Sequence, residues 1–168
     1  VTMRAHLTDS DIRSLIKGPG EDERAHAAHK ICRCIEEADL SPEERAHAEG
    51  IIAIMAQDSA ILVRRALSIA LKNSPKLPRE IANKLARDVD SIALPVIMNS
   101  PSLNDADLIA IIRACPPNRQ IAVASRETLT TSVTGALSSY AVSEAVERAL
   151  ANDNALFDEQ GLETALAR

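Results

Sequence analysis

Apolar residues recur along most of this chain at the spacing of an amphipathic helix. Between Val63 and Leu71 they follow the series i, i+3, i+4, i+7, i+8, and the same series returns from Val142 to Leu150. No segment shows the strict alternation of apolar and polar residues that is typical of a half-buried strand. The pattern therefore predicts an all-α chain.

The boundaries of the predicted helices follow from this periodicity and from turn residues. We expect helices near residues 8–17, 21–38, 42–57, 60–73, 78–90, 92–99, 104–114, 117–126, 130–140, 142–151 and 158–167. Pro95 lacks the N–H that an interior helical position needs, so its helix should begin close to Ile92 or be kinked.

Capping signals recur ahead of several of these helices. "LTDSDI" at Leu7, "LSPEER" at Leu40 and "LNDADL" at Leu103 each combine an apolar residue, a capping residue and a carboxylate three positions later. "LPRE" at Leu77 is a shorter version. Successive starts lie about two helices apart, which is typical of an array of helical pairs.

A second recurring element separates the helices. "NSPKLP" begins at Asn73 and "NSPSLN" begins at Asn99, each after one apolar run and before another. Asn and Ser suit the end of a helix, and Pro prevents its continuation. The two phrases therefore predict the same joint, made twice.

Two segments resemble a HEAT repeat. "QDSAILVRRAL" places Asp58 ahead of Val63 and Arg64, as the repeat does, and "RDVDSIALPVI" places Asp88 ahead of Ala93 in the same relation. Over residues 58–156 the sequence resembles a bacterial family of unknown function, mainly alphaproteobacterial, with HEAT-like helices. The resemblance implies a right-handed stack of antiparallel helical pairs, an α-solenoid, and implies no activity, cofactor or partner.

The predicted organisation is one helical-repeat domain over residues 1–168, with divergent helices in 1–57 and a HEAT-like core in 58–156. In HEAT-like stacks the Asp and Arg of the motif are mostly structural, and the Arg links successive repeats. We therefore expect a group of charged residues to join repeats or to contact a partner. These are Asp58, Arg64, Arg65, Asp88 and Arg126.

Composition narrows the choice of partners. The chain has 168 residues, a formal net charge of −5 and interleaved charges, so it lacks the cationic surface that nucleic acid requires. Its only aromatic residues are Tyr140 and Phe157, so a protein partner would be held mainly by aliphatic and charged side chains. We expect no nucleic-acid partner.

Cellular context follows from the cysteines and from the lack of long apolar runs. Three cysteines, spaced unlike a disulfide framework, favour a reducing cytoplasm. No apolar run approaches the ~20 residues of a membrane helix, so we expect no membrane partner. The chain begins at Val1 rather than with an initiator Met, so we expect that it could be part of a longer protein.

The segment "HAAHKIC" contains the residues with the greatest potential for chemistry. His26, His29 and Cys32 are spaced three apart, so His29 and Cys32 could share a metal ion on one side of a helix. No fourth ligand lies nearby, and an ordinary surface role for the histidines with a buried thiol explains the segment better. An exposed His26 or His29 could also accept a phosphoryl group, although the segment lacks the His-x-x-Lys-Gly pattern of phosphotransfer domains.

The sequence contains no phosphate-binding loop, nucleophile elbow or zinc-protease motif. We therefore predict a non-enzymatic protein–protein interaction module or adaptor with a regulatory role, with no cofactor and no bound metal. The alternatives are a signalling component phosphorylated on His26 or His29, and a metal- or redox-responsive switch. Self-association is left open.

Overall fold

The computed structural model describes Leu15 and residues 20–168, and this part of the chain is all-helical, as predicted. Its helices are α1 (Glu21–Glu37), α2 (Pro42–Ala56), α3 (Ile61–Leu71), α4 (Arg79–Leu85), α5 (Asp90–Asn99), α6 (Asp105–Ala114), α7 (Pro117–Ala124), α8 (Thr131–Tyr140), α9 (Ser143–Leu150) and α10 (Glu159–Leu166). The helix expected near residues 8–17 lies outside the described residues except for Leu15. None of the described helices is both long and apolar enough to cross a bilayer.

The chain divides into two compact units within α5 and the turn that follows it. The first unit ends at Val96 and also includes Ser100–Ser102, while the second consists of Ile97–Asn99 and Leu103–Arg168. The expectation of one repeat domain stays a prediction.

In the first unit the helices pack both on the next helix and on the next but one, and the largest contact joins α1 and α3. Helix α3 packs on α1 and α2, and α2 also packs on α4. Apolar faces of these helices meet in a core from which water is excluded, and this burial is the main source of their stability. Its largest fully buried side chains in these helices are Ile31, Ile35, Ile52, Met55, Leu67, Leu71 and Leu85.

In the second unit each helix packs mainly on the next helix but one. Helix α8 contacts both α6 and α10, and α7 contacts α9. Pairs that are adjacent in sequence, α6 with α7 and α8 with α9, also touch. Ala145, Val146 and Ala149 of the series from Val142 to Leu150 are buried, although Leu150 is exposed. The fully buried positions of this unit include Ile111, Ile112, Val123, Leu137 and Ala145.

Two of the predicted capping boxes are confirmed. At the start of α2 the Ser41 hydroxyl accepts a hydrogen bond from the Glu44 N–H, and the Glu44 carboxylate accepts one from the Ser41 N–H, both at 3.2 Å. At α6 the same exchange joins Asn104 and Asp107, at 2.9 and 3.0 Å. Both boxes satisfy N–H groups that a helix leaves without intrahelical partners.

The expected position of Pro95 was only partly right. Helix α5 begins at Asp90, two residues before the expected start, so Pro95 lies in its second turn and not its first. A proline there has no N–H to donate to the Ser91 carbonyl, and α5 nevertheless continues to Asn99.

The two NSP turns share one hydrogen-bonding arrangement. In the first turn the buried Ser74 hydroxyl accepts from the Lys76 N–H at 3.1 Å, and in the second the buried Ser100 hydroxyl accepts from the Ser102 N–H at 3.2 Å. A hydroxyl that bonds the N–H two residues later stabilises a turn in place of helix. The prediction of one joint made twice is confirmed at this level.

The first of these turns also has a long-range role that its sequence did not indicate. The Lys76 ammonium donates to three carbonyl oxygens at the end of α1, those of Ile35 at 2.9 Å, Glu36 at 2.8 Å and Ala38 at 2.7 Å. The last carbonyls of a helix lack intrahelical partners and carry the negative end of the helix dipole. Lys76 therefore caps α1 from a turn far away in the sequence.

Replacing Lys76 with Met should remove this cap while retaining most of the aliphatic stem. We expect the free energy of unfolding to fall by about 1–2 kcal/mol, the scale of lost hydrogen bonds to a charged donor. Urea denaturation would measure the change. The exposed Lys84→Met should shift stability by less than about 0.5 kcal/mol, and equal effects of the two substitutions would contradict the capping role.

Candidate functional site

Four charged side chains of the first unit form two ion pairs, and we call them the polar ladder: Arg24, Asp58, Arg64 and Asp88. Arg24, in the first turn of α1, donates from Nε to Asp58 Oδ2 at 2.9 Å and from Nη2 to Asp58 Oδ1 at 3.1 Å. Arg64, in the first turn of α3, donates from Nε to Asp88 Oδ2 at 2.7 Å and from Nη2 to Asp88 Oδ1 at 3.1 Å. Both pairs are bidentate, the arrangement that fixes an arginine and a carboxylate most firmly.

Backbone contacts join the two ion pairs into one network. The third nitrogen of Arg64, Nη1, donates to the carbonyl oxygens of Asp58 at 2.8 Å and Ser59 at 3.1 Å. Asp58 Oδ1 also accepts from the Ala60 N–H at 2.9 Å, just ahead of α3. Asp88 Oδ1 accepts from the Val89 N–H at 2.7 Å, just ahead of α5. Each aspartate therefore holds the entry to a helix and is itself held by an arginine from an earlier helix.

The environment of the ladder keeps its groups ionised. In each pair the arginine and aspartate side chains are 13–19% exposed. Burial alone would raise the pKa of Asp88, but hydrogen bonds from Arg64 and the Val89 N–H outweigh burial and hold that pKa below its usual value. The same balance, with Arg24 and Ala60 as donors, lowers the pKa of Asp58. Hydrogen bonding to the aspartates raises the pKa values of Arg24 and Arg64.

Three of the five charged residues selected from the sequence lie in this ladder: Asp58, Arg64 and Asp88. The side chains of Asp58 and Arg64 do not pair with each other, since Asp58 pairs with Arg24, which sequence reasoning missed. One signal in the sequence could have indicated the role of Arg24. It occupies the fourth position of its helix, as Arg64 does.

The other two selected residues lie elsewhere. Arg65 is exposed on α3. Arg126 is partly buried in the second unit, where its Nη1 donates to the Ile97 carbonyl oxygen at 2.7 Å and its own carbonyl accepts from Asn152 at 2.8 Å. Desolvation lowers the pKa of Arg126. These hydrogen bonds involve backbone groups near the ends of helices. Arg126 therefore links neighbouring segments, but it is not part of the polar ladder.

The histidine–cysteine segment of α1 is divided between surface and core. His26 and His29 are exposed and line a shallow groove of about 410 Å³ with Lys30, Arg33, Cys34 and Glu37. Cys32 is fully buried, its Sγ lies 3.6 Å from Met55 Sδ, and burial raises its pKa to about 12.

The structure separates His29, which is exposed, from Cys32, which is fully buried, so it does not favour a metal site shared by the two. His29 and Cys32 are about 60° apart around the helix axis, so that His29 lies on the exposed side of α1 and Cys32 on the buried side. Among the described residues no three His, Cys, Asp or Glu side chains are placed to hold a metal ion. Cys34 is half-buried while Cys32 is in the core, so the two thiols lie on different faces of α1.

A further feature lies in the second unit, at the last turns of α6 and α8. The guanidinium carbon of Arg113 lies 4.5 Å from the centre of the Tyr140 ring, and the tyrosine is 54% exposed. A cation over an aromatic ring at an exposed site gains about 0.5–1 kcal/mol, enough to bias both side chains toward one arrangement. The sequence identified Tyr140 as a rare aromatic residue but did not indicate Arg113 as its neighbour.

The fold and these contacts define an all-helical protein whose helices are joined by buried polar links. Residues 92–168 match the model of a family described as an uncharacterised protein conserved in bacteria (DUF2336). The resemblance to a bacterial family of unknown function is thus confirmed for this segment, and the match begins later and ends later than the expected range of 58–156. No curated protein and no solved structure matches the chain.

Proposed function

We propose that this chain is a non-enzymatic protein–protein interaction module that works in the cytoplasm as an adaptor. The observation that supports it most directly is the Arg113–Tyr140 pair, an exposed and pre-arranged combination of the two residue types. Tyr and Arg are enriched among the residues that dominate binding energy at protein interfaces. A side chain already held in place loses less conformational entropy when a partner binds.

We further propose that the helices form a HEAT-like α-solenoid. Packing of α6 on α8 and of α8 on α10, together with α7 on α9, is what two layers of stacked helical pairs would produce. The ladder supports the same arrangement in the first unit, because Arg64 connects the entry of α3 with the entry of α5. A scaffold of this kind holds surface residues in fixed positions, which suits a binding module.

The test is capture of partners from a native bacterial lysate by the tagged chain, with crosslinking and mass spectrometry. We expect a specific partner that crosslinks near α6 and α8 and is depleted at least about tenfold by Tyr140→Ala, equivalent to about 1.4 kcal/mol of binding energy. Leu150→Ala changes another exposed apolar side chain, on α9, and should leave capture unchanged. Capture that is equal for both variants, or no specific partner at all, would refute the proposal.

A second candidate is a signalling role for His26 or His29. The observation that favours it is their exposure on α1 beside Lys30 and Arg33, whose charges suit a phosphoryl group. Incubation with ATP and candidate kinases should then give an acid-labile gain in mass that His26→Gln or His29→Gln removes. If the mass does not change, this candidate is rejected and the interaction module stands.

A further inference from the structure

The exposed face of α10 combines two apolar and two acidic side chains. Leu162 and Leu166 are 40% and 68% exposed, and Glu159 and Glu163 are exposed beside them. The four lie at i, i+3, i+4 and i+7, so they occupy one side of the helix, while Gly161 and Ala165 are buried. This α10 face is an apolar stripe bordered by negative charge.

The exposed face of α3 has the opposite charge. Ile61 and Ile69 are 45% and 46% exposed, Arg65 is exposed between them, and Lys72 follows at the end of the helix. Their spacing of i, i+4, i+8 and i+11 places all four on one side of the helix. Among the described residues, none of the four charged side chains on the α3 and α10 faces forms an ion pair.

The surrounding sequence strengthens this contrast. Residues 61–87 contain seven Lys or Arg and a single acidic residue, Glu80, whereas residues 142–168 contain six Asp or Glu and two Arg. The two segments therefore have opposite net charge, although Arg64 of the first is paired with Asp88 just beyond it. Opposite charge of this kind steers association and selects the register of the surfaces that meet.

The order of residues along the two helices also matches, and more completely in the antiparallel direction than in the parallel one. From its start, α3 presents Ile61, Arg65, Ile69 and Lys72 in turn. From its end, α10 presents Leu166, Glu163, Leu162 and Glu159. An antiparallel pairing, with α10 displaced about 3 Å along α3, places each leucine near an isoleucine and each carboxylate near a cation, whereas a parallel pairing leaves Lys72 without a carboxylate and places Glu159 beside Ile61.

The axial distances allow this antiparallel match. At about 1.5 Å per residue, Arg65, Ile69 and Lys72 lie about 6, 12 and 16.5 Å beyond Ile61, and Glu163, Leu162 and Glu159 lie about 4.5, 6 and 10.5 Å from Leu166. With the level of Leu166 placed about 3 Å beyond that of Ile61, all four antiparallel pairs are level to within about 3 Å, which the side chains can span.

We propose that a second copy of this chain is the partner of the α10 face, and that α3 of one copy packs antiparallel on α10 of the next. Because the two faces differ, the contact is heterologous and leaves one free face of each kind on every pair. Self-association then continues head to tail as concentration rises. It involves neither Arg113 nor Tyr140, so it stands independently of the proposed adaptor function.

The purified chain tests this proposal by sedimentation velocity over about a hundredfold range of concentration. We expect the average mass to rise steadily from that of the 18.0 kDa monomer and the rise to weaken with added salt, because the contact combines apolar and charged groups. Leu162→Glu with Leu166→Glu, and separately Ile61→Glu with Ile69→Glu, should each abolish the rise. Leu150→Glu, an exposed leucine on α9, is the matched control and should not.

Mixing the two double variants gives the decisive result. Each retains one intact face, so an equimolar mixture should form a complex of twice the chain mass and nothing larger. The mixture also shows that both variants are folded. A wild-type monomer at every concentration, a mixture that stays monomeric, or association that survives either double variant would overturn the proposal. None of these results would affect the proposed adaptor function, which is tested separately by partner capture that depends on Tyr140.

Discussion

Replacing Arg64 with Ala is expected to lower the free energy of unfolding by about 3 kcal/mol. The substitution removes a bidentate pair with Asp88 and two hydrogen bonds to the carbonyl oxygens of Asp58 and Ser59. It also leaves the Asp88 carboxylate, whose side chain is only 13% exposed, without the guanidinium that bonds it. Such a charge costs more than the lost contacts alone, because the carboxylate is poorly solvated where it lies.

Urea denaturation of the two variants Arg64→Ala and Arg65→Ala provides the measurement and its control. The two arginines are adjacent on α3, but Arg65 is exposed, so its replacement should change stability by less than about 0.5 kcal/mol. Arg64→Lys should be intermediate, since an ammonium retains the charge but cannot make the bidentate contact. A loss no larger for Arg64→Ala than for Arg65→Ala would show that the ladder contributes little.

The dependence on pH provides a second check on the same pair. The pKa of Asp88 is lowered in the folded chain, so its contribution to stability is present above the ordinary aspartate pKa of about 3.9 and is lost as pH falls below it. The difference in stability between wild type and Arg64→Ala should therefore be constant from about pH 5 to 7 and shrink below about pH 4.

The helices could be predicted closely because their signals are local. Periodic apolar residues, the capping boxes at Ser41 and Asn104 and the repeated NSP turns all act within a few residues, and most predicted boundaries inside the described part lie near an observed one. There are two exceptions: the helix expected over residues 78–90 already ends at Leu85, and Pro95 lies inside α5 and not in its first turn. The free-energy cost of a proline inside α5 is offset by the packing of that helix, whose residues Ile92, Val96 and Ile97 are fully buried.

Residues of the candidate site were harder to predict, because their partners are distant in sequence. The HEAT-like motif indicated Asp58 and Arg64, but only the folded chain shows that Arg24 meets Asp58 and that Lys76 reaches the end of α1. Arg113 and Tyr140 are likewise brought together by the packing of α6 on α8. Periodicity shows which face of a helix is buried, but it does not show which neighbour that face meets.

A buried glutamine of the second unit illustrates the same limit. Gln120, in α7, is 8% exposed, and its Nε2 donates to the Ile112 carbonyl oxygen at 2.8 Å while its Oε1 accepts from the Val142 N–H at 3.0 Å. The Ile112 carbonyl lies in the last turn of α6, and the Val142 N–H lies at the N-cap of α9. Helices leave backbone groups at such ends without intrahelical partners. One amide side chain therefore satisfies two different helix ends.

Replacing Gln120 with Met should retain the shape of the side chain and remove both hydrogen bonds. We expect the free energy of unfolding to fall by about 3 kcal/mol, since a buried backbone group without a partner costs about 1–3 kcal/mol. Hydrogen exchange measured by mass spectrometry should show faster exchange in α6, α7 and α9 and little change in α1–α3. Gln160→Met, at an exposed position of α10, is the matched control and should leave stability and exchange unchanged. If Gln120→Met is as stable as this control, the amide does not join the two helix ends.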